Sequence, residues 1–247
     1  MTRAQSRYRG LAIVVGQHDF GESDRIVRMV SPEHGLIAAM AKGARGSRKR
    51  YAGALDIGNR VEIEVRPSRG DLWRMYGATL NDGRLGVRDD LLKMALMGTF
   101  CEIVGALSRE ADPSPRRYGL LDTALLLLDG MTGAPGSAFR AAFEAKALTF
   151  AGLAPCLTRC ARCDAPLSAP LRFSWESGGA VHEHCGSGVR VSTDLLERLE
   201  YGRRTPMAEL IDDELPDGHS GLLLDFLEHQ LGRPLRTRAW LNSLERG

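Results

Sequence analysis

Arg60-Val61-Glu62-Ile63-Glu64-Val65-Arg66 alternates polar and apolar side chains without a break. That period of two marks a strand with one buried and one wet face, because successive side chains leave a pleated backbone on opposite sides. The turn signal Pro67-Ser68-Arg69-Gly70-Asp71 follows, and then Leu72–Leu80, rich in Trp, Met, Tyr and Thr. Upstream, Arg7–Val15 carries a β-branched run, and Asp24–Val30 places Ile26, Val27 and Val30 together. Gly35–Met40 follows the turn Ser31-Pro32-Glu33-His34-Gly35. About five short strands in residues 1–80, separated by glycine-bearing turns, predict a small antiparallel barrel.

The pattern changes after Asn81-Asp82-Gly83, a strong turn and the expected domain boundary, giving domains 1–80 and 81–247. Leu91–Leu107 repeats apolar residues at helical spacing. A second helix is predicted from Pro115, whose missing N–H costs little at an early helical position, to Leu128. Phe139, Phe143, Ala147 and Phe150 form one helical face, more consistent with a core stripe than a cofactor box. Further helices are expected at Thr193–Tyr201, Gly221–Leu231 and Thr237–Leu244. The fold class is therefore α+β.

Composition excludes several classes. With 43% apolar and 26% charged residues, the chain is globular and not disordered. Its longest wholly apolar run, Leu36–Ala41, is far below the ~20 residues a bilayer helix needs. Leu11–Val15 is too short for a signal-peptide core. A cytoplasmic location is expected, where clustered thiols suggest metal before disulfide. The formal charge of +2 hides a split: residues 1–80 hold 14 basic and 8 acidic side chains, a net of +6, leaving −4 for the remainder. Such asymmetry points to a polyanion on the first domain.

Cys160-x2-Cys163, eighteen intervening residues and His182-x2-Cys185 have the layout of a two-knuckle zinc ribbon, with Phe173 and Trp175 as its small hairpin core. The expected module covers about residues 154–190. Of five cysteines, Cys101 sits on a helix face as an apolar residue. Cys156, Cys160, Cys163 and Cys185 remain as the preferred ligand set, because thiolate is the commonest ligand of closed structural sites, with His182 as the alternative to Cys156. One structural Zn²⁺ per chain is expected.

Lys42-Gly43-Ala44-Arg45-Gly46-Ser47-Arg48-Lys49-Arg50 carries five basic residues and no acid. A loop of this kind can follow a phosphate backbone, its small residues allowing close approach. It fits no Walker A register. Arg74, with Trp73 and Tyr76, could add charge and stacking on a neighbouring strand, though core packing suits Trp73 better. Arg116-Arg117 and Arg203-Arg204 are weaker basic pairs that could extend a DNA path or equally bind an acidic peptide. No nucleophile motif such as G-x-S-x-G occurs, and Asp212-Asp213-Glu214 suits a surface turn better than a Mg²⁺ site.

Taken in order, Gly21-Glu22-Ser23-Asp24-Arg25-Ile26-Val27, Gly35-Leu36-Ile37, Lys42-Gly43-Ala44-Arg45 and Ala52-Gly53-Ala54-Leu55 resemble the bacterial RecO recombination mediators. Gly152-Leu153-Ala154-Pro155 leading into Cys160-x2-Cys163, and Gly178-Gly179 before the last ligand pair, extend the match. The resemblance implies an N-terminal oligonucleotide-binding (OB) barrel, a helical domain and an inserted zinc module. It implies a non-enzymatic protein that binds single- and double-stranded DNA, anneals complementary strands, and acts with RecR to load recombinase on strands coated by single-strand binding protein. Arg25, Lys42 and Arg45 carry over as DNA contacts. Arg48, Lys49 and Arg50 join them on charge alone. The resemblance also suggests a groove for the acidic tail of single-strand binding protein and a nucleoid-associated location. One departure stands out: the family's ribbon usually ends in a second C-x2-C, whose first position here is His182. A zinc-dependent nuclease or hydrolase built on His182, His184, Cys185 and the acidic run is an alternative, as is a zinc-ribbon adaptor that binds another protein.

Overall fold

A computed structural model describes residues 7–47, 49–68, 70–216 and 221–245. Five strands, β1 (Tyr8–Phe20), β2 (Asp24–Ser31), β3 (Gly35–Ala41), β4 (Arg60–Arg66) and β5 (Trp73–Asp82), close into a barrel in the order β1-β2-β3-β5-β4. Four neighbouring pairs are antiparallel, whereas β3 and β5 are parallel, with Ala39 opposite Trp73. An antiparallel barrel is thus realised with one parallel seam. A ring of five strands cannot alternate direction all the way round, so one parallel neighbour is unavoidable.

The alternation read in β4 is the burial pattern observed. Val61, Ile63 and Val65 are buried, while Glu62 and Arg66 are exposed. They join Val27, Met29, Ile37 and Met75 in the barrel core. Tyr51, Ala54 and Leu55, from the connection between β3 and β4, fill that core too. β1 runs past the expected Val15 because its far half pairs with β2, from Gln17 opposite Val27 to Phe20 opposite Asp24.

The chain divides into two compact units, one comprising 1–131 with 236–247 and the other 132–235. The expected boundary at 80/81 falls inside β5. Beyond that strand, Arg84 and Arg88 hold the chain to the barrel. The Arg84 guanidinium is 1% exposed and ion-paired with Asp82 at the end of β5 and with Asp122. Arg88 donates to Asn59 Oδ1 at 2.7 Å and to the Gly83 carbonyl at 2.9 Å.

The first unit therefore contains the barrel with helices α1 (Leu91–Leu107) and α2 (Pro115–Gly130). Asp90 caps α1 through the Lys93 amide at 2.9 Å, and Ser114 caps α2 with Pro115 in its first turn. Gly35, at φ +66°, lies where a Cβ would stand 2.3 Å from the Asp112 carbonyl oxygen, so the β2–β3 turn can press against the α1–α2 connection.

The second unit is built on α3 (Ser137–Phe150). Phe139, Phe143 and Ala147 are fully buried, as the stripe predicts, and Phe150 is half-buried. Strands β6 (Leu171–Ser174), β7 (Gly179–His182) and β8 (Val189–Val191) form a small sheet in the order β7-β6-β8. Helices α4 (Thr193–Arg204) and α5 (Leu222–Leu231) complete it, and α6 (Arg238–Glu245) returns to the first unit. The acidic run Asp212-Asp213-Glu214 serves the N-terminus of α3: the Asp213 carbonyl accepts from the Ala138 amide at 3.0 Å and Glu214 from the Ser137 amide at 3.0 Å. Among the described residues no helix is long and apolar enough to cross a membrane.

Asp122 carries two guanidiniums, Arg84 and, at 3.0 Å, Arg60 of β4. Asp122→Ala should lower the unfolding free energy by about 2 kcal/mol, below the cost of breaking a fully buried pair because Asp82 remains and the carboxylate is partly wet. Urea denaturation checks this, and a loss under about 0.5 kcal/mol, the range of an ordinary surface substitution, would contradict it.

Candidate metal centre and nucleic-acid interface

Each half of the cysteine–histidine cluster is placed by a tight turn. In the first, Cys160 N donates to the Ala165 carbonyl and Asp164 N to the Cys160 carbonyl, both at 2.9 Å, with Asp164 in the left-handed region at φ 59°. The Ala161 amide ties this turn to β7 through the Ala180 carbonyl at 2.8 Å. In the second, His182 ends β7 and its carbonyl accepts from Cys185 N at 2.8 Å. Behind them Phe173 of β6 meets Trp175 and, from α5, Phe226, each edge-on at 5.6 Å. The hairpin core read from Phe173 and Trp175 is thus anchored to a helix.

Cys160, Cys163, His182 and Cys185 offer ligand atoms that all lie within 4.8 Å of one another, and they could hold a metal ion. His182 Nδ1 is 3.5 Å from Cys163 Sγ and 3.8 Å from Cys185 Sγ. Four donors around one tetrahedral zinc stand about 3.5–3.8 Å apart at ordinary bond lengths, so the donor set fits. On the far side of the ring, Nε2 lies 3.1 Å from the Pro166 carbonyl. A proton on Nε2 satisfies that oxygen and leaves the Nδ1 lone pair facing the thiols, the usual way a ligating imidazole is oriented. Burial works against ionisation of Cys160, but amides of Cys163, His182 and Arg162 donate to its sulfur and bring its pKa down to about 6. The Cys185 thiol is pushed up to about 11, first by burial and then by Cys163 and Cys160 beside it.

The preferred fourth ligand, Cys156, is not in this group, which includes the alternative, His182. Cys156 is held for a different purpose. Its thiol lies 3.2 Å from the Arg159 carbonyl, and its backbone bridges to Gly179, with Cys156 N donating to the Gly178 carbonyl and Ala180 N to the Cys156 carbonyl. Gly179, at φ +152°, leaves no room for a Cβ, which would stand 2.3 Å from the Cys156 oxygen. Cys101 is fully buried in α1, with burial pushing its thiol to about 12. His184 stacks parallel on His182 at 5.2 Å, outside the cluster.

The basic loop after β3 is braced against the β1–β2 turn. Asp24 accepts from the Gly43 amide at 2.8 Å, and this bond holds its carboxyl below the usual range. The Arg45 amide donates to the Ser23 carbonyl at 3.1 Å, and its guanidinium to the Glu22 carbonyl at 2.9 Å. Arg25 and Arg45 meet at one carboxylate, Asp19, at 2.9 and 3.3 Å, and Arg25 also donates to Gln17 at 2.8 Å. Arg50 closes the loop on the Lys42 carbonyl at 2.8 Å and stands 5.3 Å from the Tyr51 ring. Lys42 and Lys49 are exposed, and Arg48 lies outside the described residues. Arg74 is exposed on β5, 5.4 Å from the Tyr76 ring. Trp73 packs against the barrel core.

The two secondary pairs differ in their surroundings, and Arg116 is exposed. Arg117 is buried and paired with Asp112 at 2.5 Å, which removes it from a DNA path. Arg203 and Arg204 both bind Glu200, at 2.6 and 2.5 Å. Sequence reasoning misses Asp19, although its position opposite Arg25 across a short turn is a readable signal.

Two family models divide the chain: "Recombination protein O N terminal" matches residues 5–83, and "Recombination protein O C terminal" matches residues 88–239. The chain belongs to the RecO family. Among relatives named DNA repair protein RecO, that of Myxococcus xanthus is 36% identical over 238 residues, covering 94% of this chain and 95% of its own length. That of Pelobacter propionicus is 38% identical over 239 residues, with the same coverage. In this RecO-family chain the departure at His182 and the displaced Cys156 can be separated by substitution. Elemental analysis should find about one metal per chain in the wild type and in Cys156→Ser, and clear loss in His182→Ala. Retention by His182→Ala with loss from Cys156→Ser would reverse the assignment.

Proposed function

We propose that this protein is a DNA repair and recombination mediator that binds single- and double-stranded DNA and anneals complementary strands. With RecR, it helps load recombinase on strands coated by single-strand binding protein, whose acidic tail it contacts. The reading rests most on one observation: a RecO-family chain presents Lys42, Arg45, Lys49 and Arg50 on one braced loop of its barrel. The relatives' name, DNA repair protein RecO, supports the repair role. In this reading the protein is not an enzyme, works in the cytoplasm with the nucleoid, and holds one structural zinc on Cys160, Cys163, His182 and Cys185. Four protein donors fill a tetrahedral shell and leave no position for a reacting water. The zinc would hold the two turns together and so stabilise the small sheet between α3 and α4.

DNA recognition follows from charge and bracing. Lysines and arginines that neutralise phosphates release the counterions condensed there, and a loop already held by Asp24 and Arg50 loses little further entropy on binding. Arg25 and Arg45 are oriented by Asp19, and a phosphate between them would take over bonds that the carboxylate now holds. Arg48, from its place in the loop sequence, would add a contact, and Arg74 would continue the path on β5.

The combined Lys42→Ala, Arg45→Ala and Lys49→Ala variant should weaken binding to all oligonucleotide sequences alike. Its plot of log affinity against log salt should flatten by roughly 0.7 for each single-strand phosphate that is no longer neutralised, about 2 in all. Annealing of oligonucleotides coated with single-strand binding protein should fall in parallel, without nucleotide hydrolysis in either protein. An unchanged salt slope would sink the loop assignment.

A further inference from the structure

The outer face of β1, β4 and β5 carries a second basic group that the proposed loop does not use. Arg9 of β1 lies opposite Glu64 of β4, and Glu64 lies opposite Gly77 of β5. At the end of the same strand pair, Arg66 and Arg74 stand directly opposite one another. Like charges at directly opposed positions repel, and together they raise the positive potential at this end of the face. Arg7 and Arg9 are exposed and both bind the Glu64 carboxylate, at 2.6 and 3.0 Å. The Arg7 hydrogen bond keeps Glu64 ionised, below the usual carboxylate range.

The middle of this face is a β-bulge. The register passes from Met75 opposite Val65 to Gly77 opposite Glu64, so Tyr76 is the extra residue. Bulges re-aim side chains, and this one sets the Tyr76 ring among the arginines: Arg7 stands 4.3 Å and Arg74 5.4 Å from its centroid. Gly77 has no side chain and open space where a Cβ would sit, so a shallow depression lies between Arg9, Glu64 and Thr79. Four arginines, two carboxylates (Glu62 and Glu64) and one ring thus form an amphipathic, net positive surface.

This surface is continuous with the basic loop. β3 and β5 pair in parallel with Met40 opposite Arg74, so the loop beginning at Lys42 leaves the barrel beside Arg74. The Arg50 carbonyl accepts from the Ala78 amide at 3.3 Å, which lays the far end of the loop along β5.

We infer that Arg7, Arg9, Arg66 and Tyr76 form a second phosphate-contacting segment for single-stranded nucleic acid, reached from the Lys42–Arg50 loop by way of Arg74. Glu64 holds two of the guanidiniums in place until backbone phosphates displace it. The inference rests on the DNA-binding reading above but assigns a separate face, so the strand path is longer than the loop alone provides.

The test uses the full-length protein and oligo(dT) of increasing length, with affinity measured against salt. The Arg7→Ala, Arg9→Ala, Arg66→Ala variant should bind short oligonucleotides much as wild type does. With long ones its salt slope should flatten by about 2, at roughly 0.7 per phosphate. Glu64→Gln, which removes no arginine, should tighten binding of long oligonucleotides several-fold and leave short ones unchanged. If the loop variant loses binding while both face variants match wild type at every length, the inference is overturned and the DNA-binding reading stands; the face then suits an acidic protein segment instead. If the loop variant also matches wild type, both readings fall.

Discussion

The Arg84 guanidinium is almost wholly buried, and the end of the barrel is organised by that burial. A charge removed from water is tolerated only when partners surround it, and here Asp82 of β5 and Asp122 of α2 supply them. Asp122 also takes Arg60 of β4, so two strands and a helix converge on a few charged atoms. The last barrel strand therefore cannot separate from α2 without exposing an unpaired ion to an apolar surround. That explains why the turn after Asn81 is not a break between compact units. Arg88 repeats the device with neutral partners, reaching Asn59 and the Gly83 carbonyl.

The same grouping, one carboxylate between two guanidiniums, recurs where water can reach it. Asp19 holds Arg25 and Arg45, Glu64 holds Arg7 and Arg9, and Glu200 holds Arg203 and Arg204. Burial decides what the grouping does. Around Arg84 the pair is screened little and acts as a clamp. At the surface an ion pair is screened by water and salt and contributes little, so a phosphate can replace the carboxylate at small cost. Meanwhile the guanidiniums are held in a narrow range of orientations. Such a surface is ready for an anion while its net charge stays modest.

Local periodicity makes much of the architecture legible. Leu91–Leu107 is bounded correctly because its apolar spacing coincides with the helix that Asp90 caps, and β4 is legible because its alternation matches its burial. What stays hidden is non-local. No local pattern announces the parallel seam between β3 and β5, which depends on closing a ring of five. The buried state of Arg117 depends on Asp112, a partner visible in sequence but with no sign that water is excluded. The cysteine–histidine cluster is legible as a cluster, since paired turns with two-residue gaps bring donors together. Which four donors gather is not. Thiolate preference favours Cys156, whereas its backbone is committed to β7 at Gly179, a constraint that spacing does not encode.

Charge counting shows why the distribution matters more than the sum. The first 80 residues carry a net of +6, and five of their basic residues lie in the loop from Lys42 to Arg50. Arg7, Arg9, Arg66 and Arg74 lie on the outer face of β1, β4 and β5 and at its edge, with Tyr76 aimed into their midst. The acids of this domain are not spread evenly against them: Asp19, Asp24 and Glu64 each brace a basic element by a direct hydrogen bond or ion pair. An acid used in that way subtracts from the field but adds to the order of the surface. For a partner recognised by its backbone charge, affinity then depends on how many guanidiniums stand ready along a path, and the formal total of +2 is a poor guide to it.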